Sequence, residues 1–155
     1  MVEKIRLFDY RDLTKNEYVI SRQVRFKGKE RIRTDIMLFV NGIPLVNIEC
    51  KNPAEPGVSW YNAYKDIKTY EECVPELYKY VQIGVAVESL ARYFPIVPWQ
   101  KDVRIYEWRE EGLDSVDSLV HMLKPAVLLD IIRNFLFFRI EMGQATKVIT
   151  RYMQY

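Results

Sequence analysis

One set of residues in the sequence has types and spacing suited to chemistry. Arg33-Thr34-Asp35 opens an apolar run, and fourteen residues beyond Asp35, Glu49-Cys50-Lys51 closes the next one. Alternate side chains of a strand share a face, so Glu49 and Lys51 project together while Ile48 and Cys50 point the other way. Charges at the end of a buried strand are costly unless they are paired or bound to a metal. They therefore form a structural ion pair or do work. Two carboxylates, both expected to be ionised at neutral pH, suit a hard divalent cation such as Mg²⁺, which prefers oxygen ligands and keeps several waters. Asp35 and Glu49 are the candidate metal ligands, with the Cys50 carbonyl as a further oxygen. Such a cation acidifies a water and neutralises charge that builds on a phosphodiester. Lys51 would then orient or help deprotonate the water, or hold a phosphate oxygen. Together this is the chemistry of metal-dependent DNA hydrolysis.

The elements that position these residues can be read around them. Residues 17–27 alternate as a half-buried strand and run into the basic stretch Lys27, Lys29, Arg31, Arg33. The runs at 36–40 and 43–50 are separated by Asn41-Gly42, a strong hairpin signal because both residues tolerate positive φ. Strands are expected at about 33–40 and 44–51. A two-residue turn would put Asp35 opposite Ile48, away from Glu49. A three-residue loop with Gly42 in a bulge pairs Phe39 with Ile43 and puts Asp35 opposite Asn47, diagonal to Glu49. The bulged loop is expected, because it gathers Asp35, Glu49 and Lys51 on one side. Pro53, Pro56 and Gly57 then break the chain before an amphipathic helix of about 13 residues, with Ser59 as N-cap and Trp60, Ala63, Tyr64, Ile67 and Tyr70 at helical spacing.

Residues 78–87 read as a central strand covered on both faces, with further strands in RYFPIV and VRIYEW. Three strands, a helix and a strand make an α/β (α+β) core. After Gly112 the pattern turns helical: residues 114–123, then 125–141 with Pro125 at the start, then 145–155. The last fifteen residues keep a partly apolar pattern without a cap, which gives the expectation of a piece cut from a longer chain.

Composition narrows the function classes. The chain has 155 residues, enough for one domain with a real core and too few for an ATP-driven motor. No apolar stretch approaches the length of a membrane span. One histidine, His121, and two cysteines without C-x-x-C spacing argue against zinc chemistry. The N-terminus lacks the pattern of a secretory signal, so a reducing cytoplasm is expected. A formal charge of +2 attracts nucleic acid little, so DNA binding would rest on local clusters. Lys29, Arg31 and Arg33 offer one, readable either as a phosphate-contacting rim or as a solvated edge guarding against strand pairing. Lys65 and Lys68 on the helix are further candidates. Cys50, alternating away from the charged face, is expected to be a buried inert thiol, and Tyr64, Tyr70, Phe135 and Phe138 to be core.

The segment RTDIMLFVNGIPLVNIECKNP resembles the signature of the restriction (R) subunit of type I restriction-modification enzymes, whose nuclease domain belongs to the PD-(D/E)xK superfamily. The resemblance runs through Arg33, Asp35, Asn41, Gly42, Pro44, Leu45, Glu49, Lys51, Asn52 and Pro53, and continues in ELYKYVQIGVAV, ARYF, LLDIIRNFLFF and RYMQY. It implies a restriction-endonuclease-like fold, a central mixed sheet flanked by helices, over residues 1–112, with a helical segment at 113–155 leading toward a translocase domain. It also implies a Mg²⁺-dependent endonuclease acting on double-stranded DNA, Mn²⁺ substituting, with Asp35, Glu49 and Lys51 catalytic. Methylation and specificity subunits are the implied partners, and ATP belongs only to the motor, since nothing here matches G-x-x-x-x-G-K-[ST]. The family's Q-x-x-x-Y motif on the following helix is matched by Tyr70, but Asp66 stands at the glutamine. Asp66 is thus either an extra oxygen toward the metal or a solvated charge beside Lys65 and Lys68. Two alternatives stay open: a stand-alone repair or junction nuclease, and a non-catalytic DNA-binding or assembly module with a decayed site.

Overall fold

The computed structural model describes residues 5–155. Strands β1 (Tyr18–Lys27), β2 (Arg31–Val40) and β3 (Ile43–Cys50) form an antiparallel meander. Helix α1 (Trp60–Cys73) and the short α2 (Pro75–Tyr78) then cross over to β4 (Ile83–Val87), which lies parallel to β3, and β5 (Ala91–Pro95) closes the five-stranded mixed sheet in the order β1-β2-β3-β4-β5. The expected α+β core is present, with two corrections in this stretch. Tyr78 belongs to α2 rather than to the central strand, because Pro75 starts a helical turn there, and the VRIYEW segment contributes only a single bridge, Tyr93 to Tyr106.

Helices cover both faces of the sheet. One cluster packs Met37, Ala86, Phe94 and Ile96 against Ala63, Tyr64 and Ile67 of α1. The other packs Val40, Val46, Val85 and Tyr93 against helices α3 (Ser115–Met122) and α4 (Pro125–Asn134). The amphipathic reading of α1 holds: Ser59 Oγ accepts the Tyr61 N–H, and Asn62 accepts the Ser59 N–H in return. Among the described residues no helix is long and apolar enough to cross a membrane.

The hairpin register differs from expectation. Asn41 and Gly42 both have positive φ, 50° and 77°, and Val40 pairs directly with Ile43, so the turn has two residues. The bulge lies higher in the strand, between the pairs Phe39–Pro44 and Leu38–Val46, with Leu45 as the extra residue. The bulge lets consecutive residues, Leu45 and Val46, bury in one cluster, at 2% and 0% exposure. Beyond it Ile36 pairs with Ile48, which brings Asp35 level with Glu49 rather than with Asn47. The displacement is even, so Asp35 and Glu49 still meet across the hairpin.

The C-terminal segment is not wholly helical. After α4 come β6 (Leu136–Glu141) and β7 (Gln144–Ile149), a separate antiparallel hairpin. Its turn is Met142-Gly143, both with positive φ, and Phe137, Phe138 and Ile140 before it are of types that favour strand. Trp99 Nε1 donates to the Ala145 carbonyl, and Lys147, only 7% exposed, donates to Gln82 Oε1, so the hairpin packs onto the sheet. Phe138 is exposed, not core.

Candidate active site

The ladder between β2 and β3 ends at Ile36 and Ile48, and side chains take over the backbone pairing from there. The Asp35 N–H donates to Glu49 Oε1 at 3.1 Å, and the Cys50 N–H donates to Asp35 Oδ2 at 2.9 Å. Each carboxylate therefore satisfies the strand that carries the other. Each also keeps one oxygen, Asp35 Oδ1 and Glu49 Oε2, outside these bonds. On the other side of β2, Gln23 of β1 faces Asp35 at the position where the β1–β2 ladder skips a pair, and its φ is +53°. Non-glycine residues adopt that left-handed backbone at a cost.

Glu49 is held from below. Asn47, on the same face two residues earlier, donates from Nδ2 to Glu49 Oε1 at 2.9 Å, and the Tyr78 hydroxyl donates to Asn47 Oδ1 at 2.5 Å. All three residues are buried. Burial pushes the Glu49 carboxyl up to about 7, with the Asn47 and Asp35 donors opposing and the charges of Asp35 and Asp66 reinforcing. Glu49 is thus near half protonated at neutral pH, which corrects the expectation of two fully ionised carboxylates. Reading the sequence missed Asn47 and Tyr78. The signal for Asn47 was one amide in an otherwise apolar strand, two residues before Glu49.

Lys51 continues the face, and its Nζ lies 2.5 Å from Asp66 Oδ2 on α1. Asp66 beside it holds the ammonium above the ordinary lysine range. Asp66 thus meets Lys51 rather than its own helix neighbours Lys65 and Lys68, and among the described residues no three His, Cys, Asp or Glu side chains form a group that could hold a metal. Lys51, Glu55, Asn62, Lys65 and Asp66 line a depression of about 390 Å³. Tyr70, one turn beyond Asp66, donates its hydroxyl to the Arg33 carbonyl at 3.3 Å, and burial together with the nearby carboxylates raises it to about 12.

Other sequence candidates are placed as follows. Cys50 is exposed rather than buried. Desolvation and the neighbouring carboxylates raise its thiol above the ordinary range, which argues against a nucleophile. Lys29, Arg31 and Arg33 are exposed on the β1–β2 hairpin. Lys65 lies over the Tyr61 ring at 5.3 Å, and Lys68 turns inward to the buried Glu71 at 2.5 Å, which commits its ammonium to the protein. His121 bonds Glu110 at 2.8 Å, far from the site in the chain.

The arrangement can offer two carboxylate oxygens to a hard cation and a fixed ammonium beside them. The model of the type I restriction enzyme R protein N terminus matches residues 2–103. A protein of Methanocaldococcus jannaschii named as the type I restriction enzyme MjaVIIIP endonuclease subunit is 34% identical over 98% of this chain. The type I restriction enzyme HindI endonuclease subunit of Haemophilus influenzae is 32% identical over 99% of it. The chain spans about 15% of the first of these relatives and 16% of the second. By both measures the chain belongs to the family of type I restriction enzyme R protein N termini.

Proposed function

We propose that the domain is a Mg²⁺-dependent endonuclease that hydrolyses phosphodiester bonds of double-stranded DNA, as the nuclease part of a type I restriction enzyme R subunit. The observation that carries this reading is the convergence of Asp35, Glu49 and the Lys51–Asp66 pair on one face at the end of β3. The unshared oxygens of Asp35 and Glu49 fit a hard cation that keeps most of its waters, with the Cys50 carbonyl as the proposed third protein ligand. When bound, that ion would neutralise charge on the phosphate and acidify a water. Glu49 would hold the ion as the carboxylate, its proton released to solvent. Lys51, kept protonated by Asp66, holds a non-bridging phosphate oxygen rather than acting as the base. Tyr70 and Asp66 join α1 to β2 and to Lys51, so the helix sets the position of the ammonium. DNA as substrate, partner methylation and specificity subunits, and a cytoplasmic site of action are part of the same proposal.

The test is plasmid nicking with Mg²⁺ or Mn²⁺ by the wild type and by Lys51→Ala. Losing an ammonium aimed at a developing charge is expected to slow cleavage about 10²–10³-fold. Equal rates would remove Lys51 from the mechanism.

A further inference from the structure

From Asp35 outward, β2 pairs only with β1, because the β2–β3 ladder begins at Ile36. The hairpin there is a two-stranded ribbon, and its register sets Arg25 directly across from Arg33 and Lys27 directly across from Arg31. Directly opposed residues of an antiparallel pair put their side chains on one face, close together. All four are exposed, while Val24, Phe26 and Ile32, which alternate with them, pack into the α1 cluster. Like charges placed directly opposite each other repel, and none of the four makes an ion pair among the described residues. The acid nearest the tip, Glu30, is turned to the Cys73 thiol at 3.8 Å.

Protection of a sheet edge explains only half of this pattern. Cations on β1, the edge strand, would block the addition of another strand. Arg31 and Arg33 lie on the stretch of β2 that β3 does not reach, where one cation on each strand would already deter pairing; setting them in two directly opposed pairs is more than edge protection needs. Two opposed cation pairs kept on one face, with no carboxylate to meet them, call for an anionic partner from outside the chain.

We infer that the face formed by Arg25, Lys27, Arg31 and Arg33 is a phosphate-binding ribbon that grips the backbone of duplex DNA beside the Asp35–Glu49 site. The choice of DNA as the polyanion rests on the nuclease reading above. Arg31 stands four residues from Asp35, about 14 Å along an extended strand. That length corresponds to about four base-pair steps of duplex. The ribbon thus holds the duplex close to the bond to be cut without reading its sequence, since phosphate contacts carry no base information.

The experiment is fluorescence anisotropy of this chain with a labelled duplex of roughly 20 base pairs in EDTA, so that cleavage plays no part. Wild type is compared with Lys27→Gln/Arg31→Gln, a variant that removes one opposed pair. The variant should melt no lower than wild type, because it relieves repulsion, and should bind more weakly. Losing two phosphate contacts should flatten the salt dependence by about two counterions, so wild-type affinity falls about tenfold more steeply than the variant's between roughly 50 and 200 mM salt. Equal affinity and equal salt slope in a variant with an intact melting transition would overturn the ribbon. So would a wild type that does not bind the duplex at the lower salt. A reversed case separates the two readings: if Lys51→Ala cuts as wild type does while the ribbon variant loses binding, the catalytic assignment fails and the ribbon stands.

Discussion

Replacing Glu49 with glutamine tests the buried carboxylate without needing metal or DNA. The Glu49 carboxyl rises from 4.5 to about 7 on folding because the side chain is buried, only 3% exposed. A group whose folded pKa is raised favours the fold while protonated. Its contribution is complete below pH 4.5 and is lost as pH climbs through about 7. Once the carboxylate is fully ionised, the folded state is about 3 kcal/mol less stable than if the group stayed neutral. Glutamine stays neutral and keeps a carbonyl oxygen for the Asn47 amide and the Asp35 N–H. The stability difference between Glu49→Gln and wild type should therefore be near zero at pH 4.5 and approach about 3 kcal/mol in favour of the variant by pH 8. Urea unfolding of both proteins across that range measures it. Other titrating groups, the buried Glu71 among them, are common to both and cancel. A difference that stays flat with pH would refute the argument, because it would mean that Glu49 is charged at no cost. Adding Mg²⁺ at pH 8 should narrow the gap by stabilising only the wild type.

Two further substitutions probe the frame around the site. Asn41→Ala removes an acceptor for the Glu17 N–H at 2.8 Å and a donor to the Leu7 carbonyl at 2.8 Å, and places alanine at φ 50°. It should cost about 2–3 kcal/mol, read as a fall in melting temperature of about 5–10 °C. No change in melting would show that the turn does not depend on Asn41. Gly84→Ala would bring a Cβ to 2.4 Å from the Phe94 ring, on the strand residue paired with Asn47. Overpacking of that kind costs about 1–3 kcal/mol, measured as a lower denaturation midpoint in urea, and an unchanged midpoint would mean the ring moves aside freely.

What the sequence made legible was local. Asn41-Gly42, the Ser59 cap and the alternation of Glu49 with Lys51 each act within a few residues, and all three stand in the fold. The hairpin register did not follow from the turn, because a bulge at Leu45 answers to burial of Leu45 and Val46 in a cluster built from distant helices. The error at residues 136–149 has the same root: a short apolar run fits helix or strand alike, and only the positive φ of Met142 and packing under Trp99 and Gln82 settle it.

Asp66 shows why the site itself was only half legible. From the helix alone, an aspartate flanked by Lys65 and Lys68 looks solvated, because its nearest charges in sequence are its own neighbours. Packing of α1 across β3 breaks that local picture: Lys68 swings to Glu71, Lys65 lies on Tyr61, and Asp66 is left facing Lys51. An amide at that position would bond the lysine without a charge, whereas the carboxylate also fixes its protonation. The pair therefore sets what Lys51 can do. A lysine held cationic is suited to holding a phosphate oxygen and is a poor base, so in the proposed mechanism Lys51 would bind charge, and a bound metal would supply the acidified water.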